Sequence, residues 1–182
     1  MRIVAGRYGG RRLVAPAGTA TRPTSDRVRE ALFQRLGPLD GQHVLDLFAG
    51  SGALGLEALS RGAQHATFVD TAPAAIKAIT ANAAALGLAA QQAEVRRQDA
   101  RAFLRGARAA GRQYDHVLLD PPYRHAAELG RALAPLLREV LAAGGRVVSE
   151  SDRREPLDLD PDLPPTDERR YGDTLIRIHG PR

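Results

Sequence analysis

The residues Asp120-Pro121-Pro122-Tyr123 follow an apolar, strand-like run and have side chains that can hold an amino group. The exocyclic amine of a nucleobase is a poor nucleophile, because its lone pair is delocalised into the ring. The carboxylate of Asp120 and the carbonyl of Pro121 can accept hydrogen bonds from both N–H bonds of such an amine. Two prolines restrict the backbone, and Tyr123 offers a flat face for an unstacked base. We interpret Asp120, Pro121, Pro122 and Tyr123 as catalytic residues; alone, the tetrapeptide is also compatible with a strand terminator.

A glycine turn upstream predicts a nucleotide-type ligand. Gly50-Ser51-Gly52-Ala53-Leu54-Gly55 matches the spacing G-x-G-x-x-G, and Asp70 follows at the distance expected of an acid that binds ribose hydroxyls. The pattern fits NAD, FAD or S-adenosylmethionine, since each needs a close backbone approach and an acceptor for a ribose diol.

The acidic residues around the turn favour S-adenosylmethionine among these ligands. Asp46 precedes the glycines, where a carboxylate repels pyrophosphate but attracts the methionine ammonium, directly or through water. Asp99 follows the third predicted strand and can accept from the adenine amino group. We expect the cofactor contacts at the turn and the strand ends: Asp46, Phe48, Gly50, Ser51, Gly52, Asp70, Thr71, Asp99 and Ala100. Together with the tetrapeptide, they predict methyl transfer to a nucleobase amine.

Composition excludes several classes of protein. The 182 residues are 43% hydrophobic, enough for one core, and include no cysteine, so disulfides and cysteine-ligated metals are excluded. The five histidines lack ligand-like spacing, and we expect no metal. No stretch resembles a signal peptide or membrane span, which predicts a cytoplasmic protein, expected to be a monomer.

Positive charge is concentrated near the N-terminus. Residues 1–37 contain eight arginines and two acidic residues, a net charge of +6, whereas the rest of the chain has a net charge of −1. A basic segment on a near-neutral body is typical of phosphate binding. A compositional preference for arginine explains part of this richness, because Lys77 is the only lysine, but it does not explain the clustering. We predict that RNA is bound by Arg2, Arg7, Arg11, Arg12, Arg22 and Thr24.

Strands and helices alternate along most of the chain. Residues 2–14 predict a small hairpin or a flexible basic arm, and Thr24-Ser25-Asp26 can cap a helix that ends near Gly37. Strands are predicted at 43–48, 65–70, 93–98, 114–119 and 146–149, with helices between them and a terminal hairpin at 168–179. The pattern predicts an α/β fold with a doubly wound, mainly parallel seven-stranded sheet, a terminal antiparallel hairpin and a basic N-terminal extension. We expect a basic arm and helix in residues 1–37 and the methyltransferase domain in 38–182.

Segments along nearly the whole chain resemble the RsmD-type 16S ribosomal RNA guanine-N2 methyltransferases. The segments that carry the resemblance are residues 1–6, Thr21-Arg22-Pro23-Thr24 with residues 26–33, residues 44–62, the Asp120 tetrapeptide and residues 169–174. The resemblance implies a class I, S-adenosylmethionine-dependent enzyme that methylates the N2 amine of one guanine in 16S rRNA, within the small ribosomal subunit or an assembly intermediate. It places Asp46, Gly50, Gly52, Asp70 and Asp99 at the cofactor, and residues 120–123 at the target amine. Asp70 stands where the family more often has glutamate, which shortens the reach to the ribose.

Two alternatives stay open from the residues alone. The tetrapeptide suits the N6 amine of adenine in RNA or DNA equally well. The glycine turn also fits an NAD-dependent oxidoreductase or a non-catalytic nucleotide-binding module, although the oxidoreductase usually needs a second domain.

Overall fold

The chain forms two compact units, Met1–Gln98 and Asp99–Arg182, here called the N-terminal and C-terminal units. A computed structural model describes residues 1–18, 25–121 and 126–180. Its strands belong to a mixed seven-stranded sheet, which confirms the predicted α/β fold. In these three ranges, no helix is long and apolar enough to cross a membrane.

Helices and strands alternate in the described residues. In chain order the elements are α1 (Asp26–Leu36), β1 (His43–Leu47), α2 (Ala53–Ser60), β2 (His65–Asp70), α3 (Pro73–Ala85), β3 (Ala93–Arg97), α4 (Ala100–Ala109), β4 (Tyr114–Leu119), α5 (Ala126–Val140), β5 (Leu141–Asp152), β6 (Pro165–Tyr171) and β7 (Thr174–His179).

The N-terminal unit contains the parallel strands β3-β2-β1, in that spatial order. The interior residues of β1 and β2 are buried, as in parallel strands covered on both faces. Helix α2 packs on β1 and β2 so closely that a Cβ at Gly55 would overlap the Phe68 ring. The sheet therefore fixes the start of α2, which follows the glycine turn directly.

The first thirteen residues form a hairpin, one of the two predicted alternatives. The amide of Ile3 donates to the carbonyl of Arg11 at 2.9 Å, and that of Gly10 donates to the carbonyl of Ile3 at 2.9 Å. The Ile3 and Leu13 side chains are buried. The N-terminal segment is therefore a folded part of its unit.

The C-terminal unit contains the strands β4-β5-β7-β6, in that spatial order. Strands β4 and β5 are parallel, whereas β7 runs antiparallel to both β5 and β6, which confirms the terminal hairpin. Because Asp152 of β5 pairs with Thr174 of β7, the β6–β7 turn lies beside the carboxyl end of β5.

The predicted start of β5 at residue 146 is wrong, whereas the end of the preceding helix agrees with the helix expected from about Glu128 to Leu141. The helix ends at Val140, and β5 begins at Leu141 with a bulge opposite Tyr114 and His116. Gly145 permits this bulge, because a Cβ there would lie 3.0 Å from the carbonyl oxygen of Tyr114. The glycines thus mark an irregular strand rather than a helix end. The division predicted near residue 37 does not coincide with the two units and stays a functional prediction.

Candidate functional site

The glycine turn between β1 and α2 has an unusual backbone. Phe48, Gly50 and Gly52 have φ angles of 62°, 56° and 78°, and a phenylalanine rarely adopts such a value. The amide of Ala49 donates to the carbonyl of Val69 at 3.1 Å, and that of Gly52 donates to the carbonyl of Ala49 at 2.7 Å. A strained turn persists where its surroundings hold it, and such turns cluster at ligand sites.

Asp70 holds two backbone segments from the end of β2. One carboxylate oxygen accepts from the Gly50 amide at 2.9 Å, and the other accepts from the Ala72 amide at 2.9 Å. A carboxylate oxygen can accept more than one hydrogen bond, so Asp70 can also serve a ribose hydroxyl. Its contact with the turn is a role that sequence reasoning did not assign.

Asp46 is sealed beneath the same turn. Its side chain is 1% exposed and accepts from the Gly55 amide at 2.9 Å. Burial raises the pKa of Asp46 to about 8, the Gly55 hydrogen bond opposes this change, and the nearby Asp70 charge adds to it. The carboxyl therefore anchors the start of α2; its predicted contact with a methionine ammonium stays a prediction.

Ser51 and Thr71 contribute backbone carbonyls to the packing of this unit. The Ser51 carbonyl accepts from Nδ2 of Asn82 at 2.9 Å, and the Ser51 hydroxyl donates to Sδ of Met1 at 3.6 Å. Thr71 is exposed, and its carbonyl accepts from Nε of Arg97 at 3.3 Å.

In the C-terminal unit, Asp99 and Ala100 lie at the start of α4. Asp99 is the N-cap residue, and Oδ1 accepts from the Ala102 amide at 3.0 Å. Capping satisfies a helix N–H, so the residue has a structural role besides the predicted contact with adenine. Ala100 is buried.

Asp120 and Pro121 follow the last residue of β4. Asp120 is partly exposed, and Pro121 is buried. Leu119 pairs with Ser149 of β5, which sets Asp120 at the carboxyl edge of this unit's strands, the edge that also bears the β6–β7 turn. Pro122 and Tyr123 lie outside the described residues. The predicted arrangement, with Asp46, Asp70 and Asp99 at the cofactor and Asp120 at the target amine, stays a prediction.

The four described arginines of the hairpin differ in their contacts. Arg2 forms an ion pair with Asp26 at 2.8 Å, and Arg11 donates to the carbonyl of Ala85 at 2.7 Å. The guanidinium of Arg7 lies 5.4 Å from the centre of the Tyr8 ring, and Arg12 is exposed. Arg7 and Arg12 are thus the best placed for a partner; the predicted residues Arg22 and Thr24 lie outside the described residues.

Sequence reasoning missed two buried polar residues that hold this hairpin. The Glu57 carboxylate, fully buried in α2, accepts from the amides of Val4 at 2.7 Å and Ala5 at 3.0 Å. Asn82 of α3 binds both polar backbone groups of Val14. Each lies among apolar neighbours at helical spacing, and a polar residue at such a position was the available signal.

Comparison with known families tests the resemblance found in the sequence. Residues 1–180 match the family model described as conserved hypothetical protein 95. The chain belongs to this family. The RsmD resemblance found in the sequence is thereby confirmed, and the fold is that of class I methyltransferases.

Several relatives are similar over most of the chain. The YlbH protein of Bacillus subtilis (strain 168) is 42% identical over 186 residues, which cover all of both chains. Ribosomal RNA small subunit methyltransferase D of Escherichia coli (strain K12) is 44% identical over 126 residues, which span 68% of this chain and 61% of that protein. A solved structure of the Escherichia coli protein yhhF has a TM-score of 0.82 and 36% identity, and the match covers 98% of this chain and 96% of that one.

Proposed function

We propose that this member of the family methylates the exocyclic N2 amine of a guanine in 16S ribosomal RNA. The observation that carries the proposal is the position of Asp120 and Pro121 at the carboxyl end of β4, in a family that includes small-subunit rRNA methyltransferases. Ligands of open α/β sheets bind at this edge.

The cofactor is S-adenosylmethionine, which supplies an activated methyl group when it is bound. The residues of the N-terminal unit fit it. Asp70 places a carboxylate beside the glycine turn, which suits a cationic ligand better than pyrophosphate. Burial raises the pKa of Asp46 to about 8, so this carboxyl is largely protonated near neutral pH and adds little negative charge. Gly50 and Gly52 have positive φ angles, which expose the backbone of the turn to close approach. Asp70 would accept from the ribose hydroxyls. Phe48 and Ser51 belong to the glycine turn, and Thr71 follows Asp70 at the end of β2.

The target amine is activated by orientation. The Asp120 carboxylate and the Pro121 carbonyl accept from its two N–H bonds, which directs the nitrogen lone pair away from the ring. Tyr123 supports the base by stacking, and Pro122 restricts the backbone. The amine loses one proton after transfer, to the Asp120 carboxylate or to water. No covalent bond between the chain and the RNA is required, since positioning supplies the rate enhancement.

The hairpin and the segment after it bind the RNA backbone. Arg7 and Arg12 are exposed, and guanidinium groups form bidentate contacts with phosphates. The sequence also assigns Arg22 and Thr24 to RNA binding. Arg2 and Arg11 contribute less, because both already have partners in the hairpin's own unit. The substrate is the small subunit or an assembly intermediate, bound by a monomer.

Product analysis tests the proposal. Purified protein is incubated with 16S rRNA or small-subunit particles and S-adenosylmethionine that carries a deuterated methyl group. The RNA is then digested to nucleosides and analysed by mass spectrometry. We expect deuterated N2-methylguanosine. Deuterated N6-methyladenosine would replace the proposed target with the adenine amine, and binding of NAD without S-adenosylmethionine would remove the methyltransferase assignment.

A further inference from the structure

Asn82 connects the RNA-binding hairpin to the cofactor turn within the N-terminal unit. It lies in α3, is 2% exposed, and has a hydrogen-bonded neighbour on each side. Towards the hairpin, Oδ1 accepts from the Val14 amide at 2.8 Å and Nδ2 donates to the Val14 carbonyl at 3.0 Å. Towards the turn, Nδ2 donates to the Ser51 carbonyl at 2.9 Å.

The amide group of Asn82 suits this bridge. It offers two donors and one acceptor oxygen, and here it binds both polar backbone groups of Val14 and the carbonyl of Ser51. An aspartate would lack the donors, and an alanine would leave Val14 and Ser51 without these partners. The bond between Asn82 and Ser51 is buried, so water does not freely replace it, whereas Val14 itself is 61% exposed.

The turn needs such support. Ser51 lies between Gly50 and Gly52, three residues after Phe48, and all three flanking residues have positive φ angles. A backbone of this kind keeps one conformation only where its surroundings fix it. The hairpin also reaches Ser51 at its other end, through the contact between Met1 and the Ser51 hydroxyl. The turn is therefore contacted from both ends of the N-terminal segment, by Met1 directly and by Val14 through Asn82.

We propose that Asn82 is a positioning residue that couples RNA binding to cofactor binding. RNA bound to the hairpin fixes Val14, Val14 fixes the Asn82 amide, and Asn82 fixes the Ser51 carbonyl in the cofactor turn. The second ligand then loses less conformational freedom on binding, so each ligand tightens the other. The inference rests on the proposed RNA-binding role of the hairpin.

The test compares cofactor affinity with and without RNA. Calorimetry measures binding of S-adenosylhomocysteine, which allows no transfer, to the full chain alone and saturated with a 16S rRNA transcript. We expect RNA to tighten binding by at least about fivefold in the wild type, the lower range of allosteric coupling. Lys77→Ala, at an exposed position of the same helix, should retain this factor. In Asn82→Ala, the ratio of the affinities with and without RNA should be close to one.

A second variant covers the possibility that Asn82→Ala fails to fold. Asn82→Asp keeps the size and the acceptor for the Val14 amide but loses the donors to the Val14 and Ser51 carbonyls, so it should also lose the coupling. A simple loss of stability would weaken binding with and without RNA alike and leave the ratio unchanged. A wild-type ratio in either folded variant, or a ratio of one in the wild type, would overturn the role of Asn82.

A third variant separates this inference from the proposed function. Arg7→Ala combined with Arg12→Ala leaves every Asn82 contact in place and should weaken RNA binding. Unchanged RNA affinity in that variant would overturn the RNA-binding role of the hairpin. Weakened RNA binding, together with full coupling in Asn82→Asp, would overturn the role of Asn82 alone.

Discussion

The turn after β1 and the turn after β4 position their functional groups in different ways. Side chains from elsewhere in the unit hold the first: Asp46, Asp70 and Asn82 each bind backbone groups in or next to it. The second begins with Asp120 and with Pro121, a buried proline whose ring restricts its own φ angle. A cofactor turn built on hydrogen bonds should respond to many substitutions, whereas the Asp120 turn should depend chiefly on Asp120 itself.

The largest expected effect separates the two turns directly. Asp120→Ala removes the proposed acceptor for the amine and leaves in place the side chains of Asp46, Asp70 and Asn82 that hold the first turn. Methyl transfer should fall by at least ~100-fold, as for the loss of an oriented polar group in a transition state. Cofactor affinity should stay within a few-fold. Single-turnover methylation and calorimetry on the same preparations measure both quantities.

A matched variant separates orientation from charge at Asp120. Asp120→Asn keeps one oxygen acceptor, so we expect a rate between those of the wild type and Asp120→Ala. A rate near that of the wild type in Asp120→Ala would remove this residue from the mechanism.

The complementary substitution removes a side chain that holds the first turn. Asp70→Ala removes the acceptor for Gly50 and Ala72 as well as the predicted ribose contact. S-adenosylmethionine affinity should fall by roughly 1.5 to 3 kcal/mol, the range for hydrogen bonds to a charged acceptor. The S-adenosylmethionine affinity of Asp70→Asn should lie between those of the wild type and Asp70→Ala. Thermal melting shows whether each variant is folded. Wild-type affinity in a folded Asp70→Ala protein would mean that the ribose is bound elsewhere.

The hairpin should affect RNA binding without changing the cofactor turn's intrinsic affinity. Replacing Arg7 and Arg12 with alanine should reduce the slope of log affinity against log salt by about 0.7 to 0.9 for each phosphate that the protein no longer neutralises. Arg138→Ala removes an exposed arginine of α5 in the other unit and serves as the control. Equal slopes in the double variant and the control would make the hairpin a structural element only.

The last expected effect concerns the pH dependence of stability at Asp46, a property of the fold and not of binding or catalysis. The folded chain keeps a proton there up to a pKa of about 8, whereas the unfolded chain loses it near 3.8. The free energy of unfolding should therefore fall as pH rises from about 4 to 8 through this group alone. Asp46→Asn has no carboxyl to ionise at this position. Its free energy of unfolding relative to that of the wild type should therefore increase from about pH 4 to pH 8 and stay constant above pH 8.

Comparing variants at each pH isolates Asp46 from the histidines. Burial lowers the pKa of His116 and of His179 to about 4, below the ordinary 6.5, so both give the opposite slope between those values. Both histidines are present in every variant, so their contributions cancel in the difference in stability between two variants at the same pH. Glu128→Gln removes an exposed carboxylate and serves as the control: its stability relative to the wild type should not show the change between pH 4 and 8 that is expected for Asp46→Asn. A stability difference that does not change with pH would mean that Asp46 is ionised in the folded chain.

The sequence predicted most elements closely, because glycines, caps and apolar runs mark local boundaries. The strand ends at Asp70 and Leu119 agree with the prediction, and so does the Ser25 cap of α1. The error at β5 has a local cause: Gly144-Gly145 is a helix-end signal that here permits a bulge.

The contacts of the site were harder to predict than its residues. Local patterns show that Glu57 and Asn82 are polar residues on apolar helix faces, but not which distant backbone groups they meet. Those partners, Val4, Ala5, Val14 and Ser51, depend on how the hairpin packs on α2 and α3. The burial of Asp46 likewise depends on the close packing of Gly55 against Phe68, which sequence spacing does not reveal.

The most direct test of the account is nucleoside mapping of 16S rRNA from cells that lack this protein. We expect one guanine to lose its N2 methyl group, and we expect the wild-type chain, but not Asp120→Ala, to restore it. An unchanged methylation pattern, or a methyl group missing from an adenine instead, would contradict the account.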